Sequence, residues 1–506
     1  VNRDPNAPQP ALRLRAAWPR RWALAVAVAL APACGDKELD ASGDTDDGGE
    51  AGAACDPAAG PDADGCAEGY VCEALSDGSG SVCGAPIEIR GSVVDALSLA
   101  PIEGARVTAL DETGAPAGPV AVTDAEGRYE LGVRALRAPD GSALGSSRWT
   151  LFVVAAAYEP FPSGVRPALP IDASTATEGE GDVAPAVIDN PSTVVGLLPR
   201  PAGAAGVTIA GTVLGEAPSG TLVAVEAASA APAYAIADVD GSYVLFDVPP
   251  GDYVVRGYKR GLELEPATVS VAANDLSGVD LRAIAEGVDA LATVSGSISI
   301  VNAPGGAATS VVLVPSPLFR PELERGPVPF GLRAPEPPSP VAIGGAFAIA
   351  GVPAGTYRVL AAFENDGLVR DPDTGIAGTA IPEITVVAAT DLAIDEGFKV
   401  TAALDVVSPG AEIPEAVSGT PTFVFADDSS EDGYELLVFD AFGGEVWRTE
   451  IAGVTGSSTV EVPYGGPPLA SGQYYQFRAT SFRERQGGQT PISRTEDLKG
   501  VFIAAP

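Results

Sequence analysis

Three times along the chain the same pair of short motifs returns, and this repeat limits the fold more than any other feature. An apolar run around a central glycine, Ile89-Arg-Gly91-Ser-Val93, recurs as Ile209-Ala-Gly211-Thr-Val213 and as Val294-Ser-Gly296-Ser-Ile298. Downstream of each lies a glycine-led aromatic run: Gly127-Arg-Tyr129-Glu-Leu131, then Gly241-Ser-Tyr243-Val-Leu245, then Gly345-Ala-Phe347-Ala-Ile349. Two of these lead into Val248-Pro-Pro-Gly251-Asp-Tyr253 and Val352-Pro-Ala-Gly355-Thr-Tyr357, where the second aromatic falls twelve residues beyond the glycine of the preceding strand. Shared spacing implies a shared hairpin register. Around the motifs, alternating Val, Ile, Leu, Tyr and Thr runs are broken by Gly, Pro and Asp turns, and no long helical period appears. The fold class expected is all-β, a tandem series of antiparallel β-sandwiches.

The first unit also carries Pro101-Ile-Glu-Gly104-Ala105-Arg-Val107 and Asp124-Ala-Glu-Gly127-Arg-Tyr129, with Arg148-Trp149-Thr-Leu151-Phe-Val153 in the place of its last aromatic strand. With these elements the three units resemble carboxypeptidase regulatory-like domains, the transthyretin-like sandwich. The resemblance implies units at 85–200, 205–286 and 290–397. The second unit carries Asp238-Val-Asp240-Gly241 but lacks the Pro-x-x-Gly-Ala element, and the third has a Pro-rich insertion between Pro315 and Pro340, read as a surface loop. The Asp-Gly turns read as turns, since Asp accepts backbone hydrogen bonds there and Gly supplies the positive φ. Tyr129, Tyr243, Tyr253, Phe347 and Tyr357 read as core anchors rather than as a sugar-stacking row.

Residues 398–506 differ. Phe423-Val-Phe425, Tyr434-Glu-Leu436 and Leu469-Ala-Ser-Gly472-Gln-Tyr-Tyr475-Gln-Phe477-Arg-Ala479 resemble a fibronectin type III-like sandwich. That likeness implies one strand face shared by Tyr475, Phe477 and Ala479, a corner hydrogen bond from Tyr475 to upstream backbone, and Phe425 in place of an early-strand Trp. Trp447, after Gly443-Gly444, reads as packing across the sandwich rather than as an exposed binding aromatic.

Ahead of the sandwiches, Cys55, Cys66, Cys72 and Cys83 form a compact set over residues 55–84. In an exported chain they imply two disulfides with three possible pairings; zinc would call for tighter Cys-x-x-Cys spacing. So small a module has too little core to fold without its bridges, and reads as a spacer or a small interaction module. Residues 35–64 hold ten Asp or Glu against the single Lys37, which gives a disordered acidic tether over 34–54.

At the start, an apolar run from Trp22 to Ala33 follows Arg13, Arg15, Arg20 and Arg21 and ends at Cys34. Twelve residues of helix rise about 18 Å, short of a ~30 Å hydrocarbon core, so the run fits a signal h-region. Leu30, Ala31, Ala33 and Cys34 resemble a bacterial lipoprotein signal, which implies cleavage after residue 33 and lipidation of Cys34. Gly35 lacks the Asp that holds many such proteins at the inner membrane, so the expected address is the outer membrane or surface of a Gram-negative envelope.

The net charge of −37 excludes nucleic-acid recognition, and the absence of His removes imidazole-based nucleophilic catalysis and most zinc or iron enzyme sites. No enzyme and no cofactor are expected. Ca²⁺ is the one ion an acidic chain invites, yet neither Asp44, Asp46 and Asp47 nor Asp62 and Asp64 completes a twelve-residue calcium loop. The expected function is a non-catalytic, lipid-anchored surface protein presenting sandwich loops for adhesion, envelope assembly or an unknown protein or glycan partner. The alternative is an accessory binding subunit, for polysaccharide or peptide, of an envelope enzyme or outer-membrane transporter.

Overall fold

A computed structural model describes residues 51–505 apart from 57–64, 139–146, 163–169, 178, 180–183, 201–205, 227–232, 302–308, 321–325, 337–338, 340–341, 364–381, 395–397, 402, 412–413, 429, 441–443, 486–487 and 496–498. The leader, Cys34 and nearly all of the acidic tether lie outside the described residues.

The three repeats fold into three sandwiches with one plan. The glycine-centred strand of each, Ile87–Asp95, Val207–Leu214 or Ala292–Val301, lies inside one sheet. On one side it takes the aromatic strand in antiparallel fashion: Arg128–Val133, Ser242–Val248 or Ala346–Val352. On the other it takes a later strand in parallel: Val194–Leu197, Leu281–Glu286 or Leu392–Ala393. The facing sheet of each is built on an antiparallel pair: Arg106–Leu110 with Arg148–Val154, Leu222–Glu226 with Gly251–Tyr258, and Thr309–Pro315 with Gly355–Phe363. These sandwiches are therefore not purely antiparallel; one edge of the opening strand is closed by a parallel partner.

Register follows the motif. Gly91 lies opposite Tyr129, Gly211 opposite Tyr243 and Gly296 opposite Phe347. The aromatic side chain lies over the glycine, and a side chain there is excluded by that ring or by a backbone carbonyl beside it. A Cβ at Gly91 would stand 2.1 Å from the Thr193 carbonyl oxygen and 2.6 Å from Tyr129 Oη; at Gly211 it would stand 1.9 Å from the Val279 carbonyl oxygen. At Gly296 the nearest atom is the tip of the Phe347 ring, 2.8 Å away. The Tyr129 hydroxyl donates to the Thr193 carbonyl at 2.7 Å, and that of Tyr243 donates to the Val279 carbonyl, so each glycine lets an aromatic cross the strand and tie down backbone leading to the closing strand. Even the turn bond repeats: Val93, Val213 and Ile298 donate their N–H groups to the carbonyls of Gly127, Gly241 and Gly345.

One boundary and one loop reading differ from the sequence expectation. Strand Phe398–Thr401 pairs in parallel with the second half of Ala292–Val301, so the third sandwich runs to Thr401 and a division at 397 cuts through its sheet. The described part of the Pro-rich insertion is not a surface loop. Its Leu318, Leu332 and Ala334 are buried in one apolar cluster with Leu222, Ala224 and Tyr258 of the second sandwich. The cause is period-two alternation in Leu222–Glu226: Val223 and Val225 point into their own core, which leaves Leu222 and Ala224 on the outer face to be covered. Strand Thr309–Pro315 repeats the arrangement, with Val312 and Val314 packed with Leu360 under Phe319 and Val328 of the insertion.

The fourth sandwich sets three strands, Val406–Ser408, Thr422–Ala426 and Thr459–Pro463, against a six-stranded sheet built on Gly433–Asp440 and Tyr474–Arg485. Tyr475, Phe477 and Ala479 enter its core together. The Tyr475 hydroxyl accepts the Ala470 N–H at 2.8 Å, the corner bond expected. Phe423, rather than Phe425, is the hub: its ring lies 4.7 Å from that of Phe477, 5.7 Å from Phe502 and 6.4 Å from Trp447.

Candidate functional site

The residues singled out in the sequence separate into a docked disulfide module and a set of side chains spent on structure. In the module, strands Val71–Ala74 and Ser81–Gly84 form a hairpin that places Cys72 opposite Cys83. Neither bonds to the other. The bridges are Cys55–Cys72 and Cys66–Cys83, first with third and second with fourth, so both strands of the hairpin are stapled to the segment before it. The sulfurs of Cys55, Cys66 and Cys72 lie within 4.8 Å of one another because the two bridges are neighbours.

The module is docked, through a contact the sequence did not announce. Glu73, between two bridge-bearing segments, faces Arg137 of the first sandwich with Nε to Oε2 at 2.5 Å, and their side chains are 1% and 6% exposed. The other carboxylate oxygen of Glu73 accepts the Ala135 N–H at 2.7 Å, and Arg137 Nη2 donates to the Ala85 carbonyl at 2.5 Å. Backbone bonds flank the pair: Ser76 N–H to the Arg137 carbonyl and Arg137 N–H to the Ala74 carbonyl, at 2.8 and 2.9 Å. Burial pushes the Glu73 carboxyl above its ordinary range, and the Arg137 charge offsets only part of that. Glu73 is the one charge in the run Tyr70-Val-Cys-Glu73-Ala-Leu75, and that is the sequence signal the pair leaves.

The Asp-Gly turns are structural. The Asp124 carboxylate accepts the N–H groups of Glu126 and Arg128 while Gly127 takes φ +72°. In the second repeat the Asp238 carboxylate accepts the Val239 N–H of its own turn at 2.7 Å and also the Val120 N–H of the first sandwich at 3.1 Å, so a turn residue serves the junction as well. Of the five aromatics, Tyr129, Tyr243, Phe347 and Tyr357 are buried, and Tyr253 is half-buried against the core that holds Tyr243. Trp447 packs edge-on against Tyr464 with ring centroids 5.0 Å apart, as expected of a sandwich aromatic. Among the described residues no helix is long and apolar enough to cross a membrane, which leaves β-barrel spans unaddressed.

A scan of protein-family models finds no match, and a search of curated proteins finds none. Among solved structures the chain is similar to two B repeats of the collagen-binding protein of Staphylococcus aureus, at 9% identity over 83% of this chain and 100% of that one, with a TM-score of 0.18. It is also similar to a proposed carbohydrate-binding protein from Bacteroides uniformis, at 15% identity over 43% and 100%, with a TM-score of 0.20. The minor pilin GBS52 of Streptococcus agalactiae matches at 12% identity over 41% and 99%, with a TM-score of 0.18. Likeness at this level carries no argument about function. The protein is an all-β chain of serial β-sandwiches behind a disulfide module.

Proposed function

We propose that this is a non-catalytic protein of the cell surface or envelope, held to a membrane through acyl chains on Cys34, whose sandwiches carry binding loops away from the bilayer. The observation that carries the reading is the use made of the candidate residues: turn Asp side chains cap turns or join domains, and repeat aromatics fill cores. What is left for a partner is loop surface on a stiff scaffold. The repeats are read as carboxypeptidase regulatory-like units and the last sandwich as fibronectin type III-like; the strand plan and the Tyr475 corner bond support that reading.

The test is phase partitioning of the native protein in a cloud-point detergent. Wild type is expected in the detergent phase and Cys34→Ala in the aqueous phase, since stable anchoring needs two or more chains at ~0.8 kcal/mol per buried methylene. Equal partitioning of the two would overturn the anchor. Glycan-array binding by the purified protein then separates a carbohydrate partner from a protein one.

A further inference from the structure

We propose that the described part of the Pro315–Pro340 insertion is a clamp that closes a three-way joint, so that the first three sandwiches move as one body. This goes beyond the surface-display reading and does not depend on it. The joint is centred on Gly220 of the second sandwich. A Cβ there would lie 3.1 Å from Pro116 Cδ of the first sandwich and 3.9 Å from Phe330 Cβ of the insertion.

The insertion grips the second sandwich at several points. Lys259 Nζ lies 5.2 Å from the Phe330 ring centroid and donates to the carbonyls of Ala217 and Ser219, at 2.5 and 2.7 Å. The Arg260 N–H donates to the Phe330 carbonyl at 3.0 Å, and the Arg260 guanidinium meets Glu336 at 2.6 Å. Next to the insertion, Gly261 N–H donates to the Gly351 carbonyl at 2.7 Å and Ala354 N–H to the Glu263 carboxylate at 2.7 Å. Below these lies the apolar cluster shared by both sandwiches.

The same insertion reaches the first sandwich. Arg320 meets Glu159 at 2.5 Å, and Glu159 lies 3.7 Å from Arg200, which lies 3.8 Å from Asp247 of the second sandwich. Asp247 in turn accepts the Ala157 N–H at 2.6 Å and holds φ +57°, a conformation that a non-glycine residue keeps only when its surroundings fix it. Neighbouring domains linked by small polar contacts hinge by default. Here a buried apolar cluster and a chain of charges spanning all three sandwiches oppose hinging.

Hydrogen exchange measured by mass spectrometry on the full chain tests the clamp, in wild type and in Arg320→Gln and Phe330→Ala. The reporters are amides donated across junctions: Val120 and Ala157 at the first, Arg260, Gly261 and Ala354 at the second. The clamp predicts slow exchange in wild type and, in either variant, at least tenfold faster exchange at both junctions together, with Val93 and Val213 inside the sheets unchanged. Acceleration confined to the junction beside the substituted residue, or unprotected reporters in wild type, would overturn it. If Val93 or Val213 also loses protection, the sandwich itself has opened, and Glu159→Gln, which removes one charge and no volume, decides by the same criterion.

Discussion

Replacing Arg137 by Met is expected to release the disulfide module from the first sandwich at neutral pH. The change leaves the Glu73 carboxylate buried with the Ala135 N–H as its one hydrogen-bond partner among the described residues, and it removes the bond to the Ala85 carbonyl. Removing one member of a buried ion pair costs about 3–5 kcal/mol. At about 1.4 kcal/mol per tenfold, the equilibrium constant for docking, and with it the protection it confers, then falls by roughly two to three and a half orders of magnitude. The readout is the protection factor of the Ser76 and residue-137 amides, both donated across the junction. Acidity sets the sign of a second effect. Because burial raises the folded pKa of Glu73 above its ordinary value of 4.5, the stability linked to its protonation is fully present below that value and lost as pH rises through the folded one. Without Arg137 the carboxyl rises further, so docking in the Met variant should recover as pH is lowered toward 4.5. Wild-type protection in the variant at neutral pH, or protection that falls on acidification, would refute the reasoning.

Two further outcomes follow from the repeats and the bridges. Alanine at Gly91 or Gly211 should lower thermal stability by about 1–3 kcal/mol or more, and alanine at Gly296 by less, because the first two strike a backbone carbonyl and the third only a ring tip; calorimetric midpoints that rank Gly296 worst would contradict this. Reducing both bridges, each closing a separation of 17 residues, should unfold the module by removing about 3 kcal/mol per bridge, while the sandwiches, which hold no cysteine, keep their β-sheet circular dichroism.

The repeats were legible because one constraint writes two residues at once. A strand glycine that must admit an aromatic from its neighbour leaves both marks in the sequence, and Gly91 with Tyr129, Gly211 with Tyr243 and Gly296 with Phe347 stand opposite one another. The joint was not legible, since Glu159, Arg200, Asp247 and Arg320 come from distant segments with no shared period. One signal was available. Leu222-Val-Ala-Val225 and Val311-Val-Leu-Val314 are unbroken apolar runs, the mark of strands buried on both faces, whereas a sandwich strand facing water on one side alternates. Those outer faces required cover, and Leu318, Phe319 and Leu332 inside an otherwise Pro-rich stretch supply it. The disulfide pairing was open for a similar reason: spacing alone permits three pairings, and the hairpin that places Cys72 opposite Cys83 without joining them appears only in three dimensions.

The mature N-terminus of the native protein is the most direct test of the lipid anchor. Intact-mass and peptide mass spectrometry of material extracted from membranes should find a chain that begins at Cys34 and carries the mass of two or three acyl chains on a glyceryl-modified cysteine. A terminus upstream of Cys34, or a Cys34 of unmodified mass, would contradict it.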